Sequence, residues 1–196
     1  IYTTICGYYL WNDNSITFWL RKIAHHVIDN SCHEVNFDEL SKVFNLSDKT
    51  IQKYLSYLQQ AFLVQVLNKH SFKSMERIRN TKSYIVDPGL QNNRENSMAA
   101  ENIGWRLENV VYIELLRKCA NEFLDVYYYK PGPKDREVDF VVCEKSRALE
   151  LIQFAYDIDS PPRPSSVRHL LSSQPRTLSS VKILLWSLLQ RPGMWK

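Results

Sequence analysis

Apolar and polar positions in the N-terminal half of the chain follow first the period of an α-helix and then that of a β-strand. Over residues 15–29, apolar side chains fall three or four positions apart behind the polar pair Asn14 and Ser15. This spacing predicts a capped amphipathic helix with one buried stripe. The helical period returns after residue 36 and gives way to strand alternation at residue 63.

Two further helices are predicted, separated by a short turn. Asn36 and Glu39 have the spacing of a capping box and predict a short helix that ends at Asn45. Ser47 predicts the cap of a third helix. The inner face of that helix consists of Ile51, Tyr54, Leu55, Leu58 and Phe62. Two helices joined by a turn of about three residues form a helix-turn-helix arrangement.

Two strands follow the third helix. Residues 63–69 alternate between apolar and polar side chains, and residues 83–86 form a second strand that closes at Asp87. Two strands after a helix-turn-helix predict a winged helix, which we assign to residues 1–88. The segment 69–82 between the strands carries a net charge of +4, equal to that of the whole chain. Its cations are Lys69, Lys73, Arg77, Arg79 and Lys82.

The winged-helix pattern is open to two functional interpretations. In the first, the outer face of the third helix enters a major groove of DNA while the cations of segment 69–82 neutralise phosphates. In the second, the module docks a protein and its charges stay solvated. The predicted nucleic-acid-binding residues are Lys49, Thr50, Gln52, Lys53 and Tyr57 of the third helix, with Lys69, Lys73, Arg77, Arg79 and Lys82.

Residues 89–196 predict a second domain of mixed α/β (α+β) class. A long helix over residues 101–118 precedes three strand-like runs, and a fourth apolar run begins at Val181 after a segment that we predict to be helical. The tail beyond about residue 159 is atypical, because residues 160–196 contain neither Asp nor Glu.

Composition excludes several classes of site. The five glycines lie at least fifteen positions apart, which excludes a Walker A loop and a dinucleotide fingerprint. The four cysteines form no CxxC pair and no signal-peptide pattern opens the chain, so we expect reduced thiols and a cytoplasmic location. No apolar stretch approaches the roughly 20 residues of a membrane span, and we expect no membrane partner. Because the first residue is Ile1 rather than Met, we expect a fragment of a longer protein.

Five short segments, in this order, resemble the C-terminal half of prokaryotic, archaeal-type AAA-family ATPases. They are Tyr84–Leu90, Leu107–Leu115, Tyr127–Lys130, Arg136–Val141 and Leu151–Asp157. The resemblance covers about residues 16–157. In that family a P-loop module precedes a winged helix and a domain of unknown function that is similar to PD-(D/E)xK nucleases. It implies a restriction-endonuclease-like αβββαβ fold for residues 89–196, and an ATPase module as partner, with ATP bound only in an N-terminal half outside this chain.

The resemblance also assigns the residues of a nuclease site. Glu108 matches the acid of the helix and Asp139 the Asp of the strand, whereas Gln153 and Ala155 stand where the family has an acid and a Lys. The site is therefore degenerate, because one anionic ligand and the ammonium group are missing. Glu137 lies two positions from Asp139 and is expected to share its strand face. Asp139, Glu108 and Glu137 are the candidate ligands for Mg²⁺ or Mn²⁺.

Three functions are consistent with these patterns. We predict that the chain is the DNA-binding or interaction portion of an ATPase, with no cofactor of its own. The first alternative is a metal-dependent DNA nuclease. The second is a protein-docking module without affinity for nucleic acid, which could form a homo-oligomer. Whether the chain is itself an enzyme stays open at this point.

Overall fold

The computed structural model describes residues 14–71, 73, 76, 79–92, 103–132, 137–145, 147–155 and 180–185. These residues form a mixed structure of helices and small sheets, of the α+β class. The described helices are α1 (Asn14–Asp29), α2 (Phe37–Phe44), α3 (Asp48–Gln60), α4 (Gly89–Asn92) and α5 (Ile103–Glu122). The described strands are β1 (Val64–Asn68), β2 (Thr81–Ile85), β3 (Asp125–Tyr129), β4 (Val138–Glu144), β5 (Arg147–Ala155) and β6 (Ser180–Leu185).

The chain divides into two compact units. The first consists of Ile1–Asn68 with Lys73–Ile113, and the second of Lys69–Phe72 with Glu114–Lys196. The predicted domains, residues 1–88 and 89–196, stay a prediction. None of the described helices is long and apolar enough to cross a membrane.

The caps of α2 and α3 are those that the sequence predicts. The Asn36 side chain accepts a hydrogen bond from the backbone N–H of Glu39 at 3.1 Å, and the Ser47 hydroxyl accepts one from the N–H of Thr50 at 3.2 Å. Each bond satisfies a donor that the first turn of a helix leaves without an intrahelical acceptor. Asn45 ends α2 in the left-handed conformation, with φ of 51°. The predicted turn between α2 and α3 is thereby confirmed.

Helices α1 to α3 enclose the core of the first unit together with β1 and β2. The apolar stripe of each helix supplies the buried side chains, as the helical spacing predicts. Phe62 is the exception: it follows the end of α3 in the left-handed conformation, with φ of 53°, and is 73% exposed, so its predicted place on the inner face is wrong. The core includes Leu20, Ile23, Val27, Ile28, Leu40, Ile51, Leu55, Leu58, Val64 and Ile85.

Strand β2 is the centre of a small sheet in the first unit. It pairs antiparallel with β1, from Val64 opposite Ile85 to Asn68 opposite Thr81. On its other side, the N–H of Cys32 donates to the Ser83 carbonyl and the N–H of Val35 donates to the Thr81 carbonyl, both at 2.7 Å. All five residues of β2 are buried as a result.

The first half of α5 is fixed to β2 by one buried amide. The Asn109 side chain accepts from the N–H of Ile85 at 2.9 Å and donates to the Ile85 carbonyl at 2.7 Å. The Ser31 hydroxyl donates to the same Asn109 oxygen at 3.0 Å. Asn109 is 1% exposed, so it serves as a one-residue extension of the sheet ladder.

The second unit contains a four-stranded sheet in the order β3-β4-β5-β6. The pairs β3-β4 and β4-β5 are antiparallel, and β5-β6 is parallel. The predicted strands are confirmed. The helix predicted between β5 and β6 and most of the atypical tail lie outside the described residues. Val138, Val141 and Leu151 belong to the core of this sheet.

Candidate nucleic-acid interface

A groove of about 560 Å³ lies in the first unit, where the first turns of α2 and α3 meet the end of segment 69–82. Helix α3 contributes Asp48, Lys49 and Gln52 to its lining, and the end of the segment contributes Arg79. We call this the α3 groove. It brings Arg79 into the same groove as Lys49 and Gln52, from which Arg79 is distant in the sequence.

The outer face of α3 continues beyond the groove. Lys49 and Lys53 are exposed and Gln52 is half-buried, and their spacing of three and four positions places them on one helix face. The ammonium group of Lys53 lies 5.7 Å from the ring centroid of Tyr57, close enough for a cation–π contact. The Thr50 hydroxyl lies 2.8 Å from that of Ser47. Thr50 therefore supports the helix cap.

Carboxylates also line the α3 groove, which the sequence analysis did not foresee. They belong to Glu34, Asp38 and Asp48. Asp38 and Asp48 lie in the first turns of α2 and α3, where the positive end of a helix dipole stabilises an acid. The groove therefore holds charges of both signs: Lys49 and Arg79 attract an anion, and the three carboxylates repel it. The sequence alone could have placed Asp38 and Asp48 in the first turns of helices, where acids are common. That these carboxylates line one groove depends on the tertiary fold.

The cations of segment 69–82 have different surroundings. Lys73 has a side chain 80% exposed and lies 3.5 Å from the carboxylate of Glu76. Arg79 is exposed, and Lys69 is half-buried and belongs to the second unit, where its backbone pairs with Tyr128. Arg77 lies outside the described residues.

Lys82 departs from the predicted surface. Its side chain is 7% exposed, and its ammonium group lies 3.7 Å from the Glu108 carboxylate, whose side chain is 13% exposed. The Tyr84 hydroxyl donates to the same carboxylate at 2.8 Å. Because the central strand β2 carries Lys82 into the interior, we leave this residue out of the candidate interface. Glu108, the predicted helix acid of a nuclease, is here the partner of Lys82 and Tyr84 within the first unit.

The other predicted nuclease residues lie in the second unit. The Gln153 amide donates to the Asp139 carboxylate at 2.6 Å, as expected for residues that face each other across β4 and β5. Asp139 is 9% exposed. The structure therefore brings Asp139 and Gln153 together in a hydrogen-bonded pair. Ala155 ends β5, and Glu137 directly precedes β4.

The metal site stays a prediction. Among the residues that the structure describes, no three His, Cys, Asp or Glu side chains form a group that could hold a metal ion. Asp139, Glu108 and Glu137 remain the ligands named from the sequence. In the described structure, Asp139 is hydrogen-bonded to the Gln153 amide and Glu108 is ion-paired with Lys82.

Comparison with known proteins gives relatives without a described function. Residues 14–100 match a family described as a domain of unknown function (DUF8612). The chain is 31% identical over 151 residues to an uncharacterized protein of Methanocaldococcus jannaschii, an alignment that covers 76% of this chain and 32% of that protein. It is 31% identical over 149 residues to an uncharacterized protein of Haemophilus influenzae, covering 72% of this chain and 35% of that protein. No solved structure matches the chain at a significant level.

The lengths of these relatives bear on what the chain represents. The chain spans about a third of the length of the curated relatives it matches. What a whole protein of that length does, and what it binds, is therefore treated below as a proposal.

Proposed function

We propose that this chain is the DNA-binding portion of a longer ATPase of the archaeal AAA type, and that its first unit binds duplex DNA as a winged helix. The order of elements supports this fold, because three helices precede two antiparallel strands. Residues 32–35 form backbone hydrogen bonds and one isolated bridge along the second edge of β2, where a winged helix has its short third strand. The part of segment 69–82 that belongs to the first unit, from Lys73 onward, is then the wing.

The observation that carries the proposal is the grouping of Lys49, Gln52 and Lys53 on one face of α3, with Arg79 lining the same groove as Lys49 and Gln52. Lys49, Lys53 and Arg79 are exposed. In a helix-turn-helix the N-terminal part of the second helix reaches base edges in the major groove. Exposed cations on either side of that helix contact phosphates and release counterions. The uncharged Gln52 amide would then contact a base edge, and the exposed Lys49, Lys53 and Arg79 would contact phosphates.

The carboxylates of the α3 groove set the expected strength of binding. Glu34, Asp38 and Asp48 offset part of the attraction for phosphate, so we expect modest affinity that falls steeply with salt. The same carboxylates favour a second candidate function, the docking of a basic peptide segment of a protein partner. Binding to duplex DNA and binding to a basic peptide have opposite charge requirements, and charge reversal of Lys53 separates them.

In this proposal, the ATPase module lies in the remainder of a longer protein. This chain has no glycine-rich phosphate loop, and the relatives are about three times as long as the aligned part. ATP and the ATPase module then belong to the remainder of the protein, in the cytoplasm, with a homo-oligomer as one form of the assembly.

For the second unit we propose a restriction-endonuclease-like fold that does not cleave DNA. The Gln153 amide donates to the Asp139 carboxylate at 2.6 Å, and an amide at this position supplies no negative charge for Mg²⁺ or Mn²⁺. Metal-dependent cleavage, the alternative, requires that Asp139 bind the metal in spite of this partner. It predicts Mn²⁺-dependent nicking that Asp139→Ala abolishes.

Fluorescence anisotropy with a labelled duplex, over a series of salt concentrations, tests the proposal. Lys53→Glu is compared with Lys118→Glu. Both positions are exposed, and both changes lower the net charge from +4 to +2. We expect Lys53→Glu to weaken binding about tenfold and to reduce the salt slope by about 1 or more, with little effect of Lys118→Glu. Equal losses for the two variants, or no binding by the unmodified chain at low salt, would contradict the proposal.

A further inference from the structure

An uncharged amide on α3 lies among the charged side chains of the α3 groove. Gln52 lines the α3 groove together with Lys49 and Arg79, and it is half-buried. Among the described residues its side chain makes no hydrogen bond, whereas the nearby hydroxyls of Ser47 and Thr50 bond each other at 2.8 Å. Both the donor and the acceptor of the Gln52 amide are therefore available to a ligand in the groove.

The charges around Gln52 determine which part of DNA can approach it. Glu34, Asp38 and Asp48 line the same groove and repel phosphate at short range. Base edges carry no net charge, and those of adenine and cytosine present an amino group that carboxylates attract. The groove is thus better suited to a base edge than to the DNA backbone, and the backbone contacts fall to exposed cations such as Lys53.

The geometry of an amide then selects one base. A Gln side chain accepts from the N6 amino group of adenine and donates to its N7, so that two hydrogen bonds form at once in the major groove. Guanine presents two acceptors on this edge, which a Gln amide cannot match in the same way. We propose that Gln52 is the residue that determines base preference and that it reads adenine; this inference rests on the proposed DNA-binding function.

Selection from a library of random duplexes tests the assignment. The full chain, Gln52→Ala and Lys53→Ala are each incubated with the library, and the bound fraction is sequenced. We expect the unmodified chain to enrich adenine at one position, by about 10-fold to 100-fold over the other bases. Gln52→Ala should lose the preference at that position alone and keep its salt slope. Lys53→Ala should weaken binding to all sequences and keep the preference.

Gln52→Glu provides a second readout with a side chain of the same size. A carboxylate only accepts hydrogen bonds, so the preference should move from adenine toward cytosine, whose N4 amino group donates. Thermal melting followed by circular dichroism confirms that each variant is folded. Binding with an unchanged base preference in both Gln52 variants, or binding without any preference in the unmodified chain, overturns the role of Gln52. Failure of the unmodified chain to bind any duplex overturns the proposed function itself, and the inference with it.

Discussion

Lys53 and Lys82 are the same residue type in two very different settings. Lys53 lies on the outer face of α3 and is exposed, whereas the side chain of Lys82 is 7% exposed and lies beside Glu108. Both are predicted nucleic-acid-binding residues when only the sequence is considered. The difference shows that the position of an element in the fold, at the surface or at the centre of a sheet, decides whether a cation is available to a ligand.

A similar contrast separates the two polar sites. In the α3 groove, Lys49, Gln52 and Arg79 line a space of about 560 Å³. In the second unit, Asp139 and Gln153 bond each other at 2.6 Å on adjacent strands. One site is open to a ligand, and the other satisfies its own hydrogen-bonding groups. The following predictions test this division, beginning with the largest expected effect.

Replacing Glu108 by Ala should lower the free energy of unfolding by about 3 kcal/mol or more, because it removes the counter-charge beside a buried ammonium group. Urea unfolding measures the change. Glu114→Ala is the matched control on the same helix, since Glu114 and its partner Arg117 have side chains 61% and 67% exposed. An exposed pair contributes about 0–1 kcal/mol. Equal effects of the two substitutions would show that the Lys82–Glu108 pair does not stabilise the fold.

Replacing Asn109 by Ala should lower the free energy of unfolding by about 2–3 kcal/mol, because the buried N–H and carbonyl of Ile85 both lose their partner in the Asn109 amide. Asn109→Asp keeps an acceptor for the N–H but sets a carboxylate against the Ile85 carbonyl. We therefore expect Asn109→Asp to be no more stable than Asn109→Ala in the same urea experiment. A nearly neutral Asn109→Ala would contradict the role of this amide as a sheet extension.

Replacing Gln153 by Glu should make stability depend on pH. In this variant the new carboxyl group faces that of Asp139 where the present contact is 2.6 Å. Because two negative charges so close repel each other, the pKa of one of the two groups is raised in the folded state. A raised pKa in the folded state means that stability is retained below the ordinary pKa of Glu, about 4.3, and lost as pH rises above it. The melting temperature of Gln153→Glu should match that of the unmodified chain near pH 4 and fall below it by pH 7. Parallel melting curves from pH 4 to 7 would argue against the closed pair.

Burial of the Cys143 thiol predicts a smaller loss of stability in alkali. Burial raises the pKa of this thiol to about 12, while the unfolded thiol ionises near pH 8.5. Ionisation of this thiol should therefore leave the free energy of unfolding unchanged below that pH and lower it by about 1 kcal/mol per pH unit above it. Cys143→Ala should decline less steeply over the same range, in unfolding measured from pH 8 to 10. An identical slope in both proteins would contradict this assignment.

Local signals in the sequence account for most of the first unit. Asn36 and Ser47 cap the helices that follow them, because a cap depends on residues only three positions apart. The burial of Lys82 could not be predicted in this way. It depends on hydrogen bonds between β2 and residues 32–35 and on the contact with Glu108 of α5, all of which are distant in the sequence.

The candidate interface was predictable only in part. Helical periodicity places Lys49, Gln52 and Lys53 on the outer face of α3, as the structure confirms. The convergence of Arg79 and the carboxylate of Glu34 on the same groove required the tertiary fold. In the second unit, the resemblance aligned Asp139 and Gln153 as site residues, and the register of β4 and β5 brings them into contact.

Lysine acetylation footprinting with mass spectrometry tests the central claim most directly, because it reports on exposed and buried ammonium groups in one sample. In the free chain, we expect Lys49, Lys53 and Lys118 of the second unit to react and Lys82 to stay unmodified. A saturating duplex should protect Lys49 and Lys53 and leave Lys118 reactive. Rapid modification of Lys82 in the folded chain, or protection of Lys118 in place of Lys49 and Lys53, would contradict the account.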